Sequence, residues 1–163
     1  MNRLKKLFFS TVLVFVLLAC TYSSVLADTN PYNIGNIVDG SVLTQDGVSE
    51  NTKYNPARSN ILNRGTARIS NNGDGTVNVY GAIMAGVVCD KLVLKMTLQR
   101  LEGNTWTTVK TYSDTDYNKA SLSKSYNPSV TKGYYYRVKA ACVATDGGVS
   151  ESQMPITDGI WVD

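Results

Sequence analysis

The stretch Gly133-Tyr-Tyr-Tyr-Arg-Val-Lys-Ala-Ala-Cys142 decides the fold class. In an extended chain Tyr134, Tyr136, Val138, Ala140 and Cys142 fall on one side, while Tyr135, Arg137 and Lys139 fall on the other. Aromatic and β-branched residues at period two describe a strand with one face in a core. The same logic holds upstream. Residues 76–88 put Val77, Val79, Gly81, Ile83, Ala85 and Val87 on one face, and residues 91–101 put Leu92, Leu94, Met96 and Leu98 opposite Val93, Lys95, Thr97 and Gln99.

Turn chemistry separates these runs at Asn71-Asn-Gly-Asp-Gly75, Gly103-Asn104, Asn127-Pro128 and Asp146-Gly-Gly148. Shorter runs at 66–70, 106–112, 120–126 and 156–162 bring the expected count to seven strands, with no helical period after residue 30. The expectation is an all-β protein, a single antiparallel β-sandwich over residues 64–163. Residues 134–140 resemble the sixth strand of immunoglobulin and fibronectin type III domains, where Tyr-x-Val-x-Ala patterns recur. Residues 28–63 are rich in Asn, Asp, Ser, Thr and Gly without a sustained period, and read as an irregular, partly disordered leader.

Residues 1–27 read as a signal peptide. Arg3, Lys5 and Lys6 precede an apolar run from Leu7 to Ala19, which is shorter than the roughly 20 residues a spanning helix needs. Val25-Leu26-Ala27 offers a cleavage site before Asp28, so the expected location is extracellular. Leu17-Leu18-Ala19-Cys20 resembles a bacterial lipobox and leaves a second outcome open, in which Cys20 is lipidated and the protein is tethered to the outer face of the membrane. The formal charge of +3 comes from the three leader bases, because residues 28–163 carry 13 bases against 13 acids. A neutral chain without a basic block presents no electrostatic footprint for nucleic acid, and none for a membrane unless Cys20 carries lipid.

The chain contains no histidine. Ser-His and Cys-His nucleophiles, imidazole acid–base chemistry and His-ligated zinc are therefore excluded. Asp90, Asp114, Asp116 and Asp146 could in principle pair for hydrolysis, but each falls in an expected turn, where Asp serves local backbone hydrogen bonding. Asn72-Gly-Asp74-Gly75 fails the calcium-loop test: with Gly75 as the sixth position, Ser70 and Gly81 stand where the first Asp and the bidentate Glu belong. No catalytic residue, metal ligand or cofactor is expected.

Cys89 and Cys142 share core-facing parity on the expected second and sixth strands, which sandwiches often join across the core, and in an oxidising compartment they are expected to pair, contributing about 4 kcal/mol by chain entropy. The alternative is two buried thiols acting as small apolar residues. Tyr135, Arg137, Lys139 and Trp161, placed outward by parity, form an expected binding surface for an extracellular protein or glycan.

Asp39-Gly-Ser-Val-Leu-Thr44, Arg64-Gly65, Gly133-Tyr-Tyr-Tyr-Arg-Val138 and Thr157-Asp-Gly-Ile-Trp-Val162 together resemble the landmarks of a family of small secreted proteins of unknown function from Gram-positive anaerobes. The resemblance implies export and one compact domain, and no activity. Such proteins often carry His near the position of Cys142, so it does not extend to a disulfide. The leading expectation is a secreted, non-catalytic interaction module. The alternatives are an extracellular hydrolase using paired carboxylates and a secreted effector or matrix component. Mass spectrometry of the exported protein is expected to read Asp28 as the first residue; an acylated Cys20 there would place it on the membrane instead.

Overall fold

The computed structural model describes residues 34–55 and 61–163, all within the unit Tyr32–Asp163. The expected signal peptide, with Cys20, Ala27 and Asp28, lies outside the described residues. The described chain is all-β, with nine strands: β1 Ile37–Val38, β2 Ser41–Thr44, β3 Val48–Tyr54, β4 Leu62–Asn71, β5 Val77–Glu102, β6 Thr105–Tyr126, β7 Tyr134–Asp146, β8 Val149–Gln153 and β9 Gly159–Val162. They form one continuous sheet of order β1-β2-β9-β7-β5-β4-β3, with β6 on β5 and β8 on β7.

This is a curled, mixed half-barrel and not the antiparallel sandwich of two sheets expected from the sequence. Two features make the difference. The β2–β9 pair is parallel, and the strands read separately as 76–88 and 91–101 are one strand of 26 residues. The hairpin turn at Gly103-Asn104 is as expected, with Gly103 at φ 60°.

β5 bends between its halves. Its ladder with β6 shifts register between Met84 and Cys89, and Gly86 leaves it to donate its N–H to the Ile61 carbonyl at 2.8 Å. Buried positions are odd from Val77 to Cys89 and even from Leu92 to Leu98, so the inward face switches between Cys89 and Leu92, just past the register shift. A bulge bends the strand and increases local twist. Val87, expected in the core, sits in the bend and is 40% exposed.

The bend brings the two halves of the same strand face to face. A Cβ on Gly81 would lie 2.6 Å from Met96 Sδ, and a Cβ on Gly65 of β4 would lie 2.8 Å from Cys142 Sγ and 3.0 Å from its Cβ. β4 and β7 share one edge of β5, on its first and second halves. β6 lines the other edge throughout and pairs with no second strand. Its halves also meet, Tyr112 stacking on Tyr126 with ring centroids 4.0 Å apart.

Cys89 and Cys142 are free thiols, both buried. Cys142 registers with Leu94 on β5, so Cys89 stands five residues, about 16 Å, further along that strand. A disulfide needs Cα atoms within about 7 Å. The expected bond assumed two strands facing each other across the core, whereas β5 and β7 are sheet neighbours in a register that holds the cysteines apart. Burial pushes the Cys142 thiol up to about 12 and raises that of Cys89 as well.

The stretch read as an irregular leader supplies β1, β2 and β3. Asp39 and Gly40, both at positive φ, turn β1 into β2. β3 pairs with β4 along all seven of its residues, and its polar alternation escaped notice because it buries little. Intact masses with and without reductant are expected to match, and Cys142 should resist alkylation until the chain unfolds. Gly65→Ala should lower the urea midpoint by the equivalent of about 1–3 kcal/mol, with partial recovery in Gly65→Ala/Cys142→Ala; Gly81→Ala should cost less, because Met96 can swing aside.

Candidate functional site

The surface expected at Tyr135, Arg137, Lys139 and Trp161 is not open. Tyr135 is fully buried and Arg137 is 2% exposed. Both lie under the β1–β2 hairpin in a second core of Leu43, Leu101, Trp106 and Tyr135, with Val38 and Trp161 packed against it. Leu43 and Tyr135, each worth about 2–3 kcal/mol when fully buried, hold down strands too short to persist by ladder bonds alone. Tyr135 meets Trp161 edge-on at 5.1 Å, and Trp106 donates its indole N–H to the Val38 carbonyl at 3.0 Å.

Arg137 is the polar centre of this second core. Its guanidinium lies 4.4 Å from the Trp106 ring. It donates to Gln99 Oε1 at 2.9 Å, the Asp39 carbonyl at 2.9 Å, Ser41 Oγ at 3.0 Å and Asp39 Oδ2 at 2.7 Å. Parity placed Arg137 and Tyr135 outward correctly; what parity could not show is that residues 37–44 fold back over them. Lys139, half-buried, lines a separate depression of about 300 Å³ with Lys95, Thr97, Gln99, Thr108 and Met154.

The larger concavity, about 530 Å³, lies on the outer side of β3, β4, the first half of β5 and the last part of β6. Ladder register arranges its lining in rungs. Glu50, Arg68 and Tyr80 stand side by side; Thr52, Thr66, Ala82 and Ser123 form the next rung; Tyr54, Arg64, Met84 and Ser121 form the third. These are the residues that alternate with the buried Ala67, Ile69, Val79 and Ile83, so the polar face follows from the core face by period two. At the third rung Glu151 of β8 accepts from the Leu62 N–H at 2.7 Å and the Asn55 side-chain amide at 3.2 Å, fastening the facing ends of β3 and β4.

Within the groove Thr52 and Thr66 share a hydroxyl hydrogen bond of 2.9 Å. The Arg68 guanidinium lies 4.9 Å from the Tyr80 ring, and its Nε is buried without an acceptor. The ion pairs among the described residues are Arg100–Glu102, Lys124–Asp114 and Arg137–Asp39. Among those residues neither Arg64 nor Arg68 therefore has a carboxylate within 4.0 Å, although Glu50 registers directly against Arg68. Tyr54 is 67% exposed at the mouth.

The carboxylates considered for hydrolysis do not line this groove. Asp114 accepts from the Tyr126 hydroxyl at 2.8 Å, and Asp90 accepts from the Gly147 N–H at 2.9 Å. Among the described residues no group of three or more His, Cys, Asp or Glu is placed to hold a metal ion. Asn71-Asn-Gly-Asp-Gly75 is the expected turn, with Gly73 and Gly75 at positive φ and Asp74 accepting from the Thr76 N–H at 3.0 Å.

Residues 35–159 match a family of unknown function (DUF6147), and the chain belongs to that family, whose description assigns no activity. No curated protein and no solved structure matches the chain.

Arg137 holds the Asp39 carboxyl below its ordinary 3.8, by hydrogen bond first and charge second. The folded value being the lower one, the contribution of this pair is complete above 3.8 and is lost as pH falls through the depressed value. Acid unfolding monitored by tryptophan fluorescence should therefore show Asp39→Asn losing less stability than the wild type over that interval; Asn is chosen because it tolerates the positive φ at residue 39.

Proposed function

We propose that the chain is an exported, non-catalytic binding module whose ligand, an extracellular glycan or protein segment, sits in the groove formed by β3, β4, β5 and β6. The observation that carries this reading is the lining itself. Two arginines with no carboxylate partner among the described residues, two tyrosines and four hydroxyl side chains converge on a concavity of about 530 Å³, within the size range of small-ligand sites. Side chains of this kind fix orientation through hydrogen bonds and supply flat surface for stacking.

The groove holds one carboxylate, Glu50, where a glycoside hydrolase of the ordinary kind needs two. With no histidine in the chain, this favours retention over turnover. Export rests on residues 1–27, and free release rests on the Ala27–Asp28 site; lipid on Cys20 would tether the same module to the membrane.

An array of extracellular glycans and peptides tests the reading. The wild type is expected to bind at least one member, and Tyr80→Ala and Arg64→Ala to bind it about tenfold more weakly with unchanged urea midpoints. Binding that both variants retain in full would move the site off the groove.

A further inference from the structure

We infer that the groove recognises an acidic saccharide, with Arg68 and Arg64 receiving carboxylates carried on a polyhydroxylated ligand. This deepens the binding reading above and rests on it.

The two arginines lie on one face of β4, four residues and so about 13 Å apart, with Thr66 between them. Among the described residues, no carboxylate lies within 4.0 Å of either. The position of Glu50 directly across the ladder from Arg68 makes the missing pair informative, since an extended Glu50 conformer could have neutralised the guanidinium. The guanidinium carbon lies 4.9 Å from the centroid of the Tyr80 ring, and Nε is buried without an acceptor. An unmet buried donor costs about 1–3 kcal/mol. A carboxylate received side-on through two parallel N–H donors removes that cost, after a small rotation of the guanidinium, and it is the group whose geometry this fork matches best. A neutral ligand oxygen can accept from Nε but leaves the guanidinium charge without a counter-ion.

The remainder of the lining argues for a sugar over an acidic peptide. Thr52, Thr66, Ser121 and Ser123 both donate and accept, as ring hydroxyls require, and Tyr54 and Tyr80 supply flat faces. The groove lies on the face of the sheet, where the β3–β4 and β4–β5 ladders occupy the backbone groups. The free edges of β3 and β6 border the groove, so an extended peptide joining either would lie along its rim and not over the hydroxyl-lined floor. The depression at Lys95 and Lys139 has cations but no aromatic platform.

The test is an array of uronate-, sialate- and muramate-containing oligosaccharides, each beside its methyl-esterified counterpart, together with aspartate-rich peptides of equal charge, probed with the exported protein. Binding is expected at acidic sugars and at least about tenfold weaker at their esters. It should fall by a similar factor in Arg68→Gln and in Arg64→Gln, and Arg68→Lys should fail to restore it. Urea midpoints confirm that each variant is folded. Absence of binding to every acidic sugar, equal binding to the esters, or equal binding to the peptides overturns the inference. Binding of neutral sugars that is lost in Tyr80→Ala overturns the acidic assignment while leaving the groove in place. Binding of acidic sugars that survives Tyr80→Ala and both Gln variants overturns the groove itself.

Discussion

The fold depends on a single strand turning back on itself. β5 runs for 26 residues and bends between Met84 and Cys89, so its two halves become opposite walls of one core. Gly81 has no side chain because Met96 of the same strand occupies the space. Everything that pairs with β5 inherits the bend: β6 folds with it and stacks Tyr112 on Tyr126, while β4 and β7 swing into contact at Gly65 and Cys142. Packing at interior density leaves no slack at such contacts, which explains why these glycines sit in the middle of strands, where glycine otherwise weakens the ladder.

The second core and the groove use the same residue types to opposite ends. Arg137 and Arg68 both lie over an aromatic ring, at 4.4 and 4.9 Å. Arg137 is answered by four acceptors drawn from Asp39, Ser41 and Gln99, and so locks the β1–β2 hairpin onto β7. Arg68 has a buried Nε with no acceptor and opens on a concavity. Composition treats these arginines alike; their hydrogen-bond inventories separate a structural residue from one left available.

Legibility in the sequence followed the apolar period. The faces of β7 and of both halves of β5 could be read directly, because Leu92, Leu94, Met96 and Leu98 and the set Tyr136, Val138, Ala140 and Cys142 alternate without interruption. The continuity of β5 could not be read, since a bulge replaces a turn at Val87-Val88 without any turn residue except Gly86. β3 was invisible because its alternation, Glu50, Thr52 and Tyr54 against Ser49, Asn51 and Lys53, is polar on both sides. The groove was half legible: Arg64, Thr66, Arg68 and Tyr80 are the complement of a correctly read core face, but only strand order puts them together. The burial of Tyr135 and Arg137 was not legible, because parity gives a side and not what covers it.

The parallel pairing of β2 with β9 joins residues 43 and 44 to 159 and 160. Leu43 comes from one end of the described chain, while Tyr135 and Trp161 come from the other. The pairing spans more than a hundred residues of sequence, a contact of high loop-closure cost. Without residues 159–162, β2 would keep β1 alone as a ladder partner, and Leu43 would lose Gly159 and Trp161 from its surroundings while keeping Leu101, Trp106 and Tyr135. The second core is thus a clasp between two distant parts of the described chain, and its integrity reports on both at once.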